Sequence, residues 1–467
     1  MKGNELIASQ FWSSIASSSV ILAAAWCSLT RRQLVVRLAV MSGVLIVSTA
    51  IWDYAGWFEL FDTYLEPNPN GGNSRIKPTL PLPMFGMMLA SCTVVMVKAF
   101  HLRIEQPLWQ ARVARCIAAP VIVVALMFGG YLYYRLARPL PIPSTDQPIP
   151  NGHMFFMRAG ESLRSLRIPE QGIDTPAAIE SFVSNHREAL SLVRKGLELD
   201  CKTAIVCQED SREHYISRDE WDRLSDSRQV ARALQAEAFV HALSEDYDQA
   251  AQSCVDCIRF AHETSRGGGD VHFLAESWIE RVGIGELQRL IPQLDPSTCR
   301  AAAVQLLHVD AKRERIAELM QRDLLWAQVV WGWEYRVELA MADLFDGPYW
   351  TILPLQRLEQ RNDTIRRLLI VELALRAFLL EHHAPPRELN DLVPEYLPRL
   401  PDDPYGHAPL RYRNEANGAI VYSIGPDLDD DWGRSLGRTE FVPAGWTDSL
   451  PVANGDVVLG SVVDFAK

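Results

Sequence analysis

Basic charge is scarce in this chain. Its 467 residues hold 46 Lys and Arg against 58 Asp and Glu, a formal net charge of −12, whereas a nucleic-acid binder would show a basic domain. Cysteine is sparse as well: eight in 467 residues exclude a compact disulfide-built mini-domain. The 27 glycines and 28 prolines have neither the density nor the period of a collagen. No His-Glu-x-x-His string occurs, so the two-histidine zinc helix of a metalloprotease is missing. No paired nucleophile and base can be assigned either, and no enzyme activity is legible. What is there is a chain 48% hydrophobic and 22% charged, too apolar for disorder and ample for a core. Its length suits about three domains. A mean hydropathy of −0.04 sits between a water-soluble protein and one wholly embedded in lipid.

The apolar runs gather before residue 135. A bilayer core needs about twenty helical residues, and segments 11–29, 38–58, 83–100 and 116–134 meet that length. They read as four transmembrane helices, with Trp52, Trp57, Phe58, Tyr131, Tyr133 and Tyr134 placed as an interfacial belt. A cleaved signal peptide at Ala23–Ala25 is the rival reading of the first segment, but its start carries only Lys2 against Glu5. Arg31, Arg32 and Arg37, and then Arg103, Arg112 and Arg115, put two short loops on the cytoplasmic side. Residues 1–138 are thus expected to be a membrane region, and everything after Tyr134 to lie outside it.

Five prolines between Arg138 and Pro150 predict a stiff spacer over 139–175. Thr175-Pro176 then pairs a cap residue with proline at the first helical position. Apolar spacing predicts helices from there and over 227–243, 247–264, 270–291, 297–342 and 362–383, so that 176–345 reads as an all-helical domain. The stretch 233–261 resembles one tetratricopeptide unit, although the period is not sustained.

Several strings invite chemistry. Cys254-Val255-Asp256-Cys257 has redox spacing, but Ala251, Cys254, Ile258 and Ala261 share a mid-helix face, and core packing is the better reading. Gly433-Arg434-Ser435-Leu436-Gly437 lacks the strand and helix that a nucleophile elbow needs. Gly267–Gly269 follows a helix and is a stop turn, not a phosphate loop. Glu381-His382-His383 closes a helix and lacks further metal ligands. Cys201 and Cys207 flank a short apolar run and are candidates for a small disulfide.

The last quarter of the chain carries a family pattern. A helix ends before Pro385-Pro386. Leu389 and Leu392 follow, then Leu400-Pro401-x-Asp403-Pro404-Tyr405-Gly406, a hairpin around Asn417-Gly418, and Ser423-x-Gly425-Pro426-Asp427. The Asn-Gly turn supports the hairpin independently. This order resembles the globular part of the major pseudopilin of type II secretion, in the form found at the ends of large planctomycete-type membrane proteins. The resemblance implies a small α+β module over 362–467 and a calcium site on a loop aspartate and a downstream aspartate, which match Asp427 and Asp456. It does not carry pilus assembly, because the corresponding helix lies far inside this chain. Asp427, Asp429 and Asp431 alternate as at the start of an EF-hand, but Arg438 stands where the bidentate glutamate belongs, which excludes one. The candidate calcium ligands are therefore Asp427, Asp429, Asp431 and Asp456, and the alternative is a solvated acidic turn.

Taken together, the sequence predicts a mainly α chain: four membrane helices, an outer all-α domain and a pseudopilin-like α+β module. It would be a multi-pass bacterial inner-membrane protein with its C-terminal part in the periplasm. A structural or protein-interaction role at the envelope is expected, with an envelope protein as partner. An accessory part of a secretion or transport system, or a membrane-anchored enzyme, is the alternative.

Overall fold

A computed structural model of the chain describes residues 146–203, 218–345, 349–406, 408–415, 418–434, 455–459 and 463–464, with scattered positions between 127 and 139. The chain divides into two compact units, Met1–Arg138 and Pro139–Lys467, and nearly all described residues belong to the second. Its helices are α1 (His153–Leu163), α2 (Pro176–Asn185), α3 (Arg187–Leu197), α4 (Arg218–Leu243), α5 (Tyr247–Ser265), α6 (Asp270–Leu290), α7 (Pro296–Lys312), α8 (Ile316–Phe345) and α9 (Tyr349–His382). Strands β1 (Arg411–Glu415), β2 (Gly418–Tyr422) and β3 (Val463–Asp464) form an antiparallel sheet in the order β1-β2-β3.

The four-helix membrane region and the multi-pass inner-membrane location are corrected. No helix among the described residues is long and apolar enough to cross a membrane. The longest, α9, has the length but carries Arg361, Asp363, Arg366, Arg367, Glu372 and Arg376, charges that a bilayer core would strand. The segments 11–29, 38–58 and 83–100, and most of 116–134, lie outside the described residues.

Several helix starts obey local chemistry. The Thr175 hydroxyl accepts from Ala178 N ahead of Pro176. Asp295 accepts from Ser297 N at 2.7 Å and Thr298 N at 2.9 Å ahead of Pro296. Each such cap is worth about 1 kcal/mol. Two expectations shift. Helix α1 forms inside the expected spacer, because Phe156, Ala159 and Leu163 give it an apolar face against α3; Gly196 leaves the room the Phe156 ring needs. The single helix expected over 297–342 breaks at Arg313, whose backbone turns extended (φ −61°, ψ 138°) and whose guanidinium turns inward to acidic partners.

Two large apolar cores and a smaller one, in which Phe273 of α6 meets Ile316, Leu319 and Met320 of α8 and Leu355 of α9, fill the described part of the unit. One joins α1–α4 to α5 through Phe156, Leu190, Leu234 and Phe260. The other large one runs from Cys254 and Ile258 through Leu287 and Leu306 to the 368–377 stretch of α9, and on to Leu392, Tyr396 and Leu410 beside the sheet. Helix α9 thus belongs both to the helical body and to the hairpin module.

Candidate functional site

The hairpin module is assembled around Asp403, a residue of the Leu-Pro-x-Asp-Pro-Tyr-Gly string. Its carboxylate is buried and accepts from Ser423 Oγ (2.7 Å), Ile424 N (3.0 Å) and Tyr405 N (3.0 Å). Ser423 in turn exchanges backbone hydrogen bonds with Val457. Gly425 has φ +69°, and a Cβ there would strike the Gly455 carbonyl, so this crossing demands glycine. Two aspartates then clip the loop shut. Asp427 Oδ2 accepts from Gly455 N and Asp456 Oδ2 from Gly433 N, both at 2.6 Å.

The four expected calcium ligands therefore meet only in part. Asp427 and Asp456 lie on the two sides of one closure, while Asp429 is exposed and Asp431 half-buried. No three of the four bring ligand atoms within 4.8 Å of one another, as mutual repulsion of carboxylates dictates. Asp456 is only 2% exposed, and its Oδ1 has no hydrogen-bond partner. Burial, together with the charges of Asp430 and Asp431, holds its carboxyl above the usual range against the opposing backbone hydrogen bonds. Asp430, which sequence reasoning passed over as a ligand, anchors the turn by accepting from Tyr422 Oη and Trp432 N.

A second concentration of charge lies inside the helical body. His262 of α5 sits between two glutamates of α6, with Nδ1 2.6 Å from Glu276 Oε1 and Nε2 3.0 Å from Glu280 Oε1. The Nε2 contact is a hydrogen bond, whereas Nδ1 lacks the alignment of one. Ser265 donates to Glu276. Arg366 of α9, wholly buried, donates to Glu280, to Asp310 Oδ1 (2.8 Å) and to Asp363 Oδ1 (2.5 Å). Arg313 reaches Glu359 (2.5 Å) and Asp363 (2.9 Å). Arg367 and Arg315 close the outer sides on Asp310 and Asp363. Burial alone would lower the His262 pKa, but Glu276 and Glu280 outweigh it and hold the ring at about 9. Glu280 is held well below the carboxylate range by Arg366 and His262, in spite of burial.

Sequence reasoning missed this cluster. Its signal was acidic residues spaced by four, Glu276 and Glu280, in step with the buried Phe273, Ile279 and Gly283 of α6.

The other sequence candidates are structural or fall elsewhere. Cys201 is a buried thiol whose Sγ lies 3.5 Å from Gly196 O; Cys207, its expected disulfide partner, lies outside the described residues, as do Ser435 and Gly437. Glu381 accepts from Tyr396 Oη (2.6 Å) and from Arg300 (2.6 Å), which ties the end of α9 to its neighbours. Cys254 and Cys257 are free thiols that burial pushes far up, and burial pushes Cys201 and Cys299 up to about 12. A thiol needs its thiolate to react. Peptides carrying Cys254, Cys257 and Cys299 are therefore expected to escape iodoacetamide at pH 8 until denaturant is added, as peptide mass spectrometry would read; modification of the native chain there would restore the redox reading of the Cys-x-x-Cys string.

No family model matches the chain, and neither a curated relative nor a solved structure matches it.

Proposed function

We propose that this chain is a non-catalytic interaction protein whose C-terminal hairpin module is ordered by calcium. The observation that carries the reading is Asp456: a buried carboxylate in an acidic loop with one oxygen unpartnered. Calcium takes six to eight oxygens in flexible geometry. Asp427 and Asp456 would hold it from the two sides of the closure, and Asp429 and Asp431 from the loop. Bound there, the ion supplies positive charge where four carboxylates in five residues (Asp427, Asp429, Asp430 and Asp431) repel one another. The loop, hairpin and 455–459 segment would then present one fixed surface to a protein partner. The module's resemblance to a secretion pseudopilin agrees with such a role, and among the described residues the buried thiols of Cys254, Cys257 and Cys299 are held as thiols and the core charges are paired with one another.

The test uses the full chain in millimolar calcium or in chelator, because calcium sites of extracellular modules have Kd values on the order of 0.1–1 mM. Binding to the folded form alone stabilises it by about 2.7 kcal/mol at a hundredfold excess over Kd. Amide exchange in 418–434 and 455–459 is expected to slow in calcium and not in magnesium, and Asp456→Asn should erase the difference. Equal exchange in calcium and chelator would reduce the acidic run to a solvated turn.

A further inference from the structure

We propose that the acidic loop docks through Leu428 and Trp432 onto the Arg228–Trp278–Arg232 surface of a second copy of this chain. Both apolar side chains stand out in solvent, Leu428 59% and Trp432 64% exposed. The backbone holds them there: Leu428 has φ +64° and Trp432 φ +62°, a region that costs a side-chain-bearing residue about 1–2 kcal/mol. Local hydrogen bonds fix the arrangement. Asp427 Oδ1 accepts from Asp429 N (3.3 Å), and Asp430 Oδ1 accepts from Trp432 N (3.1 Å) and Tyr422 Oη (3.0 Å). Between the two apolar side chains lie Asp429, Asp430 and Asp431, the first two exposed. Among the described residues their one ion pair is that of Asp430 with Arg411, 3.9 Å away. The surface is apolar at both ends and negative in the middle, and such a pattern selects a basic partner.

The same chain carries the complement. Arg228 and Arg232 are exposed and one turn apart on α4, and their guanidinium carbons lie 5.9 and 5.8 Å from the ring centroid of Trp278 on α6. Like charges four residues apart weaken a helix by about 0.2–0.5 kcal/mol. Arg232 has Glu170 at 3.4 Å, whereas Arg228 has no carboxylate partner among the described residues. Aromatic and positive, this surface belongs to a chain whose net charge is −12. In the docked pair the loop aspartates face the two guanidiniums, and the Trp432 indole offers them a second ring face. Leu428 and the two indoles exclude water, which strengthens each charge pair. Loop meets patch, so the contact is heterologous: two of them close a pair, and one per chain extends a row. The inference rests on the interaction role proposed for the loop and not on calcium, which takes no part in the contact.

The experiment is sedimentation equilibrium of the full chain in chelator, from about 1 to about 100 μM, a range that spans weak and moderate contacts. The wild-type mass is expected to rise with concentration, and to rise less in added salt. Asp429→Lys and Arg228→Glu, both at exposed positions, should each weaken the association by about tenfold or more. Mixed in equal amounts they should associate again, because each keeps the surface that the other has lost. Trp432→Ser should weaken association by a similar factor, while Arg399→Glu, the same charge change at another exposed arginine, should leave it intact. A monomer mass at every wild-type concentration would overturn the proposal. So would association equally strong in wild type, Asp429→Lys and Arg228→Glu, or charge variants that stay monomeric when mixed. The two readings fail separately: a monomeric chain whose loop exchange still slows in calcium refutes only this contact, and an associating chain with equal exchange in calcium and chelator refutes only the calcium site.

Discussion

Arg366→Met is expected to cost the chain about 3–5 kcal/mol of folding stability, the range for removing one partner of a buried ion pair. The side chain is wholly buried and faces Glu280, Asp310 and Asp363. Methionine fills much of the volume but leaves those carboxylates without their central cation. Each must then keep an unpaired charge in a dry interior or take up a proton at neutral pH. Arg367→Met removes a more peripheral guanidinium, 13% exposed and bound to Asp310, and should cost well under half as much. Urea unfolding followed by circular dichroism would read both, with the midpoint falling and the slope unchanged. Equal midpoints for wild type and Arg366→Met would mean that water reaches the cluster.

Glu372→Met is expected to do the opposite. Glu372 sits among Leu369, Ile370, Val371 and Leu373 on the apolar stretch of α9, and its Oε2 is buried with no partner. Burial raises its pKa from the ordinary 4.5 to about 8. The folded chain therefore holds a proton there that the unfolded chain has lost. Stability from this group is whole below pH 4.5 and falls as pH rises toward 8, by about 1.4 kcal/mol per pH unit. The methionine variant should thus be more stable than wild type at pH 8 by several kcal/mol, with the two converging near pH 4.5. His262 adds a milder alkaline loss when it holds a proton, since its ring is raised from 6.5 to about 9. On the acid side, Glu280 and Asp310 have lowered pKa values, and their contribution disappears as pH falls. Tm measured across pH 4 to 9 would resolve the difference between Glu372→Met and wild type; a constant difference would place Glu372 in contact with water.

These two residues also show where the sequence is readable. The run around 365–378 reads plainly as an apolar helix, and Glu372 and Arg376 stand out in it as charges. Their fates differ for reasons that no window contains. Arg366 finds Asp363 one turn back but also acids 56 and 86 positions away, while Glu372 finds none. Helices with caps inside the local text, such as α2 after Thr175 and α7 after Asp295, are legible because their chemistry lies within three residues. The hairpin is legible for the same reason, since a hairpin around Asn417-Gly418 is expected and Arg411–Glu415 pairs with Gly418–Tyr422. The break at Arg313 carries neither glycine nor proline, and the residue at the break pairs with Glu359 and Asp363 of α9. Asp427 and Asp456 were within reach through a family pattern. His262 was not, because its partners stand one helix further along.

Helix α9 has one more consequence. Its first half gives Glu359, Asp363 and Arg366 to the ion cluster, and its second half gives Leu368 to Ala377 to the core that ends beside the hairpin. A cut anywhere along it would strip one piece of its cations or the other of its apolar floor. Helical body and hairpin therefore share one rod, and they are expected to melt in a single transition.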